Sequence, residues 1–395
     1  MRVLMQIRPD WRELPGGDLV QVQRWAVWLR ELGVQVAVGD AAAPALAGVD
    51  LVHFYNLGRA YALWPALAHC RRFGVPTVLT PLYWPTEEFE RYGRPGLLGL
   101  VSRLLPGRLR ARLKSAARLL RQPGQRGGLL REVWSGQDVL ARRFLAAFDV
   151  LIAGSRPEAD ALRLLLPDHP AVALVHIGVD AFYWSDDRDL WRCERQPAWP
   201  GPPADEPDPP EDAGPAPARA GVLCVARFDP QKGQHRLIKA LRPVQVPLTL
   251  AGPTNPNYPH YRAYCARLGG PSVTILPRQG RGQLRALYRR CRVHALVSWY
   301  ETTGLTGLEA GCCGARVVMT DRGGTRDYGG ELAWYADPAD LYSIGRTVEQ
   351  ALEAPDTPDL RTRVAQHFTW EQSARALLRV YQDLLAGRAA HRHAA

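Results

Sequence analysis

Two stretches of alternating apolar strands and amphipathic helices, split by a segment that cannot bury a core, most constrain how this chain folds. Val3–Ile7 reads as a strand, followed by a Gly16-Gly17 loop and a helix from about Asp18 to Leu32. Gly33 ends that helix and Val34–Val38 is the next strand. Asp50–Tyr55, Thr77–Leu82, Val150–Ala153 and Val172–Ile177 are further strands, with helical stretches between them. Residues 195–220 (RQPAWPGPPADEPDPPEDAGPAPARA) are then packed with Pro, Ala, Gly and acids, which predicts a flexible insertion near a domain boundary. After it the alternation restarts with GVLCVARF, PLTLAG, SVTIL, VHALVSWY and ARVVMT. Helices are expected from Gly233, at Gln283–Cys291 and at Gly304–Gly311, and a last one at Trp370–Leu385.

Buried strands alternating with amphipathic helices imply parallel sheets covered on both faces. The expected architecture is α/β, with two doubly wound Rossmann-like domains and a ligand cleft between them. The boundaries predicted are 1–182 for the first domain, 183–220 for the linker and insertion, and 221–369 for the second domain. Residues 370–395 form a helix crossing back to the first domain, with its tail. A chain of 395 residues has the length for two such units.

Seven scattered cysteines show no Cys-x-x-Cys and no zinc-like spacing with His, so buried thiols in a reducing compartment are expected. The apolar start runs straight into Arg8-Pro9-Asp10 without a small-residue cleavage site. No signal peptide is therefore expected, and the protein is placed in the cytoplasm or peripherally on the inner face of the membrane. The formal net charge is +11, and Arg91 to Arg131 alone holds eleven basic residues and no acidic one. The excess charge thus belongs to one surface.

The segment 297–324 (VSWYETTGLTGLEAGCCGARVVMTDRGG) carries the most chemistry. A strand leads into Glu301, a turn follows at Gly304, and a helix carries Glu309. The amides of Gly304, Leu305 and Thr306 open that helix, where unpaired N–H groups and the macrodipole favour a phosphate. Glu309 lies far enough down the helix to reach ribose hydroxyls, and Glu301 faces a transferred sugar. Two Glu residues eight apart are common; the strand–Glu–Gly–helix–Glu–Gly–strand context is not. In VARFDPQKGQHRLIKAL (225–241), Arg227 ends a strand and Lys232 precedes a helix start, so two cations converge on the cleft mouth. Fixed cations stabilise the charge that grows on a departing nucleoside diphosphate. Arg278 is a weaker candidate for contact with the base. Asp187-Arg188-Asp189 is formally a DxD, but it follows Trp184-Ser185 instead of a hydrophobic strand and reads as a solvated acidic turn.

Gly16-Gly17, DLVHFYNL, HIGVD at 176–180, VARFDPQKG, LAG at 250–252, the paired-Glu segment and GGTRDYGGELAWYADPADL occur in order along nearly the whole chain. Together they resemble the retaining GT-B glycosyltransferases of family 4, also called glycosyl transferases group 1. The resemblance implies that Arg227 and Lys232 hold donor phosphates, Glu309 the ribose, and Glu301 with Gly304–Thr306 the sugar and distal phosphate. It implies that Gly16 and Gly17 let the first loop approach the donor. It also implies retention at the anomeric centre, with no metal and no cofactor beyond the nucleotide-sugar substrate. The sequence departs from the family pattern after the PTVLT strand, where a His-Asp pair is replaced by Pro81-Leu82-Tyr83-Trp84. His53, Tyr83 and Trp84 are the remaining acceptor-side candidates, with a core or edge position the alternative for His53, and the family's Glu after Gly-Gly is Asp327 here.

The expected reaction moves a sugar from a nucleotide-diphosphate donor to an acceptor hydroxyl on a glycan or lipid-linked sugar. Cell-envelope polysaccharide or glycolipid synthesis is the setting this suggests. The leucines interleaved with Arg91–Arg131 suggest contact with an anionic membrane surface; a helix pair packing on the first domain would give the same pattern. Two rivals remain: a nucleotide-sugar 2-epimerase or phosphorylase on the same fold, and a polyanion-binding protein using the basic stripe. No nucleic-acid-binding motif is present.

Overall fold

The computed structural model describes residues 1–9, 11, 16–96, 99, 102–103, 137–169, 171–195, 218–355 and 358–394. Most of the basic stripe and residues 196–217 of the Pro-rich segment therefore lie outside the described residues.

Six strands form the first sheet: β1 (Arg2–Gln6), β2 (Gln35–Gly39), β3 (Leu51–Tyr55), β4 (Thr77–Thr80), β5 (Val150–Ala153) and β6 (Val172–Leu174). Six more form the second: β7 (Ala220–Val225), β8 (Leu248–Ala251), β9 (Val273–Leu276), β10 (Cys291–Leu296), β11 (Arg316–Thr320) and β12 (Trp334–Ala336). Every pairing in both sheets is parallel. The strand orders are β2-β1-β3-β4-β5-β6 and β12-β11-β10-β7-β8-β9. β3, β4, β5 and β11 are buried along their whole length, as expected for strands covered on both faces.

Two predicted strands are shorter than their apolar runs. β4 stops at Thr80 because Pro81 has no N–H to donate and Leu82 turns into the left-handed region, φ +53°. β6 stops at Leu174, before the segment that leads to the second domain. The final helix instead runs further than predicted, over Trp370–Ala394. Its Trp370, Ala374, Leu377 and Tyr381 share one buried face and join Val22, Trp25 and Tyr55 in the core of the first domain. Burial of a side chain the size of Leu377 contributes about 1.5–3 kcal/mol. Trp25 Nε1 donates to Ser373 Oγ at 2.7 Å, which fixes the register of that contact. The chain thus begins and ends in the first domain, and the second domain is held between.

Candidate functional site

In a doubly wound sheet the crevice opens where the strand order reverses, outside the carboxyl ends of the strands. In the second sheet that point lies between β7 and β10. Arg227 follows β7 by two residues, and Lys232 ends a short 3-10 turn, Pro230–Lys232. Gly233 then takes φ +71°, and a β-carbon there would collide with the Val297 carbonyl just beyond β10. Glycine is thus what lets the Lys232 loop lie against the β10 exit.

Glu301 sits in that exit, bridged to Gly323 of the loop after β11. Its N–H donates to the Arg322 carbonyl at 3.2 Å, and its own carbonyl accepts from Gly324 at 2.8 Å. Lys232 Nζ donates to Glu301 Oε1 at 2.7 Å, and Ser298 Oγ donates to the same oxygen. Residues assigned separately to phosphate and sugar therefore touch one another. Both are mostly shielded, the side chains being 22% and 11% exposed, so the pair is screened less than a surface one.

Gly304, at φ +79°, opens the Leu305–Cys312 helix. Leu305, Thr306 and Glu309 line a cleft of about 380 Å³, together with Arg227, Gly252, Pro253 and Arg278 of the same domain. Val20 and Arg24, from the Gly17–Glu31 helix of the first domain, close the other wall. Size, position and mixed lining suit a nucleotide. Burial pushes the Glu309 carboxyl up to about 8, against the Tyr288 hydroxyl, which donates to Oε2 at 2.9 Å and pulls it down.

The raised carboxyl makes stability depend on pH. Below pH 4.5 it is protonated in folded and unfolded chain alike. Between there and about 8 the folded state keeps a proton that the unfolded chain has lost, so stability falls as pH rises. Glu309→Gln stays neutral throughout. Its melting temperature should gain on that of the parent protein steadily from about pH 5 to about pH 8; a pH-independent difference would contradict the assignment.

Three residues that periodicity did not single out, Arg24, Asp180 and Arg281, line the same cleft, and Glu194 and Asp327 lie outside its lining. Asp180 accepts from Arg24 of the first domain at 2.5 Å and from Arg281 of the second at 3.3 Å. Burial would raise its carboxyl, but Arg24 and then Arg281 hold it well below the usual carboxylate range. Glu194 receives Ala181 N–H at 2.7 Å, and its backbone carbonyl receives Arg24. Burial and the nearby Asp180 charge push its carboxyl up. An Asp before AFYW reads from sequence only as a helix cap, a role it also fills through Phe182 N–H. Asp327 faces the first domain, accepting Arg156 N–H at 2.5 Å and lying 3.7 Å from His176 Nε2.

The acceptor-side residues divide. Gly16 and Gly17 begin the helix that carries Val20 and Arg24, and a β-carbon at Gly17 would meet open space. His53 is corrected to a core residue with no exposure. Its Nδ1 and Nε2 bond Tyr381 and Thr80 hydroxyls at 2.6 and 2.8 Å, and its ring stacks on Tyr55. Burial pushes it down to about 3, so it stays a neutral strut between β3 and the final helix. Tyr83 and Trp84 are half-buried, beyond β4. Asp187 caps the Arg188–Arg195 helix through Asp189 and Leu190 N–H groups, and Asp189 pairs with Arg192. Among the described residues no three His, Cys, Asp or Glu converge as a metal site.

The family model for glycosyl transferases group 1 matches residues 210–368. An alpha-maltose-1-phosphate synthase from Mycobacterium tuberculosis is 27% identical over 98% of this chain and 100% of its own length. A D-inositol 3-phosphate glycosyltransferase from Rhodococcus erythropolis is 27% identical over 61% of this chain; the match spans 55% of that relative. Among solved structures, sucrose-phosphate synthase from Thermosynechococcus elongatus has a TM-score of 0.69 at 16% identity, covering 98% of this chain and 100% of that one. HepE from Anabaena in complex with UDP-glucose has a TM-score of 0.62 at 17% identity, covering 97% and 100%. Both share the two-domain architecture found here. The chain has the two-domain GT-B fold, and its residues 210–368 are similar to the glycosyl transferases group 1 family.

Proposed function

We propose that the protein transfers a sugar from a nucleotide-diphosphate donor to an acceptor hydroxyl, with retention and without a metal. The observation that carries this reading is that Arg227, Thr306 and Glu309 line one cleft, while Lys232, on the loop that carries Arg227, pairs with Glu301 at the β10 exit; neither Lys232 nor Glu301 lines the cleft itself. The nucleoside lies along the cleft past Glu309, and its diphosphate reaches Arg227, Lys232 and the Gly304–Thr306 amides. The sugar then falls beside Glu301. As the bond from the anomeric carbon to the phosphate oxygen breaks, the acceptor oxygen bonds to the same face of that carbon. The acceptor's proton passes to the departing phosphate, so the products are the glycoside and the nucleoside diphosphate. Arg227, Lys232 and the helix start stabilise the charge gathered on the leaving group. Glu301 orients the sugar.

Screening UDP-, GDP-, ADP- and dTDP-sugars by thermal shift in excess EDTA tests the reading, because a ligand of the folded state raises apparent stability by mass action. One donor should shift the melting temperature, and its turnover should require an acceptor. Turnover without any acceptor would instead favour an epimerase, and activity lost to EDTA but restored by manganese would contradict metal independence.

The acceptor proposed is a glycan or lipid-linked sugar at an anionic membrane. No helix among the described residues is long and apolar enough to cross one. The support is the run of eleven basic residues without an acid from Arg91 to Arg131. Co-sedimentation with phosphatidylserine vesicles should be strong at low salt and fade as salt screens the attraction. Background binding at low salt would leave a soluble acceptor, such as the sugar and polyol phosphates in the relatives' names.

A further inference from the structure

We propose that Glu158 is a positioning residue that locks the Pro81–Trp84 turn, and with it the segment strapping the sugar end of the cleft. That the strap closes over a sugar rests on the glycosyltransferase reading; the lock itself rests on geometry alone.

The turn is strained. Leu82 has φ +53°, a left-handed conformation that costs a residue with a β-carbon about 1–2 kcal/mol. Such strain persists only where the surroundings over-determine the backbone. On one side the Pro81 carbonyl accepts Leu57 N–H at 2.9 Å. On the other, Tyr83 N–H donates to Glu158 Oε1 at 2.7 Å, across 75 residues of sequence. Glu158 Oε2 accepts Gly154 N–H at 2.9 Å, and the residue is 1% exposed.

Helix capping explains only half of this arrangement. Ser155-Arg156-Pro157-Glu158 has the capping-box spacing. Ser155 Oγ already accepts Glu158 N–H at 3.3 Å as the helix cap. The bond to Gly154 lies beside that cap, but the bond to Tyr83 serves another segment altogether. Burial also pushes the carboxyl up to about 7 against the pull of these two N–H groups, so placing an acid here is costly.

The segment beyond the turn accounts for that cost. The Glu87–Tyr92 helix reaches the second domain and grips both flanks of Glu301. Phe89 packs near Trp299, two residues before Glu301, with ring centroids 6.5 Å apart. Glu88 accepts from Arg322 Nε at 3.2 Å, and the Arg322 carbonyl is the group that holds Glu301 N–H. A shift of the turn is therefore passed to the carboxylate that faces the sugar.

The test is hydrogen–deuterium exchange over residues 78–93 of the full chain, in Glu158→Gln, Leu82→Gly and the double variant. Affinity for UDP, GDP, ADP and dTDP, and hydrolysis of the corresponding glucose donors, are measured alongside. With Leu82 in place, Glu158→Gln should raise exchange about tenfold, the effect of losing roughly one hydrogen bond. In the Leu82→Gly background the same substitution should raise it about threefold or less, because glycine adopts positive φ without strain. Hydrolysis should fall in Glu158→Gln with affinity for the nucleoside diphosphate that binds unchanged. A role confined to capping predicts the same fold-change in both backgrounds, and that result, or faster exchange limited to residues 154–165, would overturn the proposal. Exchange decides the lock by itself, while binding of UDP, GDP, ADP or dTDP by the parent protein decides the transferase reading, so the two failures are distinguishable.

Discussion

Glu301→Gln should lower the rate of sugar transfer about a hundredfold or more, the scale of removing one preorganised electrostatic contact. Nucleoside diphosphate affinity should stay the same or tighten. The reason lies in the Lys232–Glu301 contact: the lysine proposed to serve the phosphates is held at 2.7 Å by the acid proposed to serve the sugar. A neutral amide at 301 releases that lysine to the diphosphate. It also removes the charge beside the sugar, where only interactions that strengthen in the transition state raise turnover. Rapid-quench turnover together with calorimetry measures both effects. Equal losses of rate and of nucleotide affinity would show that Glu301 binds the nucleotide instead.

Lys232→Ala should weaken nucleoside diphosphate binding by about 1–3 kcal/mol, the worth of a charge-assisted hydrogen bond. That is roughly 5- to 150-fold in dissociation constant. Arg227 should not compensate. Its side chain is 42% exposed and leans 3.5 Å from Asp229, whereas Lys232 is shielded and already aimed at the β10 exit. Unchanged calorimetric affinity would remove Lys232 from the phosphate site.

The parts of this site that were legible in sequence are those that parallel sheets make local. A strand, the loop at its carboxyl end and the next helix are consecutive, so Arg227, Lys232, Glu301, Gly304 and Glu309 could be read in two short segments. Polar contacts between distant segments leave no such periodic trace. Lys232 meets Glu301 across 69 residues, Arg24 meets Asp180 across 156, and Tyr83 meets Glu158 across 75. Each side chain, read alone, is an ordinary surface charge or helix cap.

For His53 the structure decides between two readings in favour of the core. A histidine inside an apolar strand invites a functional reading, but its partner Tyr381 lies 328 residues away on the helix that completes the first core. Leu82 was equally unreadable, because leucine gives no warning of a positive φ. The Ser155–Glu158 capping spacing was the one available hint of the Glu158 lock.

The division of labour between the two acids is the account's central claim, and titration calorimetry of one nucleoside diphosphate into three proteins tests it most directly. The parent protein and Glu301→Gln should bind with affinities within about threefold of each other, since neither removes a contact to the nucleotide. Above about pH 8, where Glu309 is ionised, Glu309→Gln should bind about tenfold or more weakly, because the ribose hydroxyls then lose a carboxylate acceptor at the cleft wall. If Glu301→Gln and Glu309→Gln lose affinity equally, or if Glu309→Gln binds like the parent, the nucleotide does not lie along the Leu305–Cys312 helix as placed here.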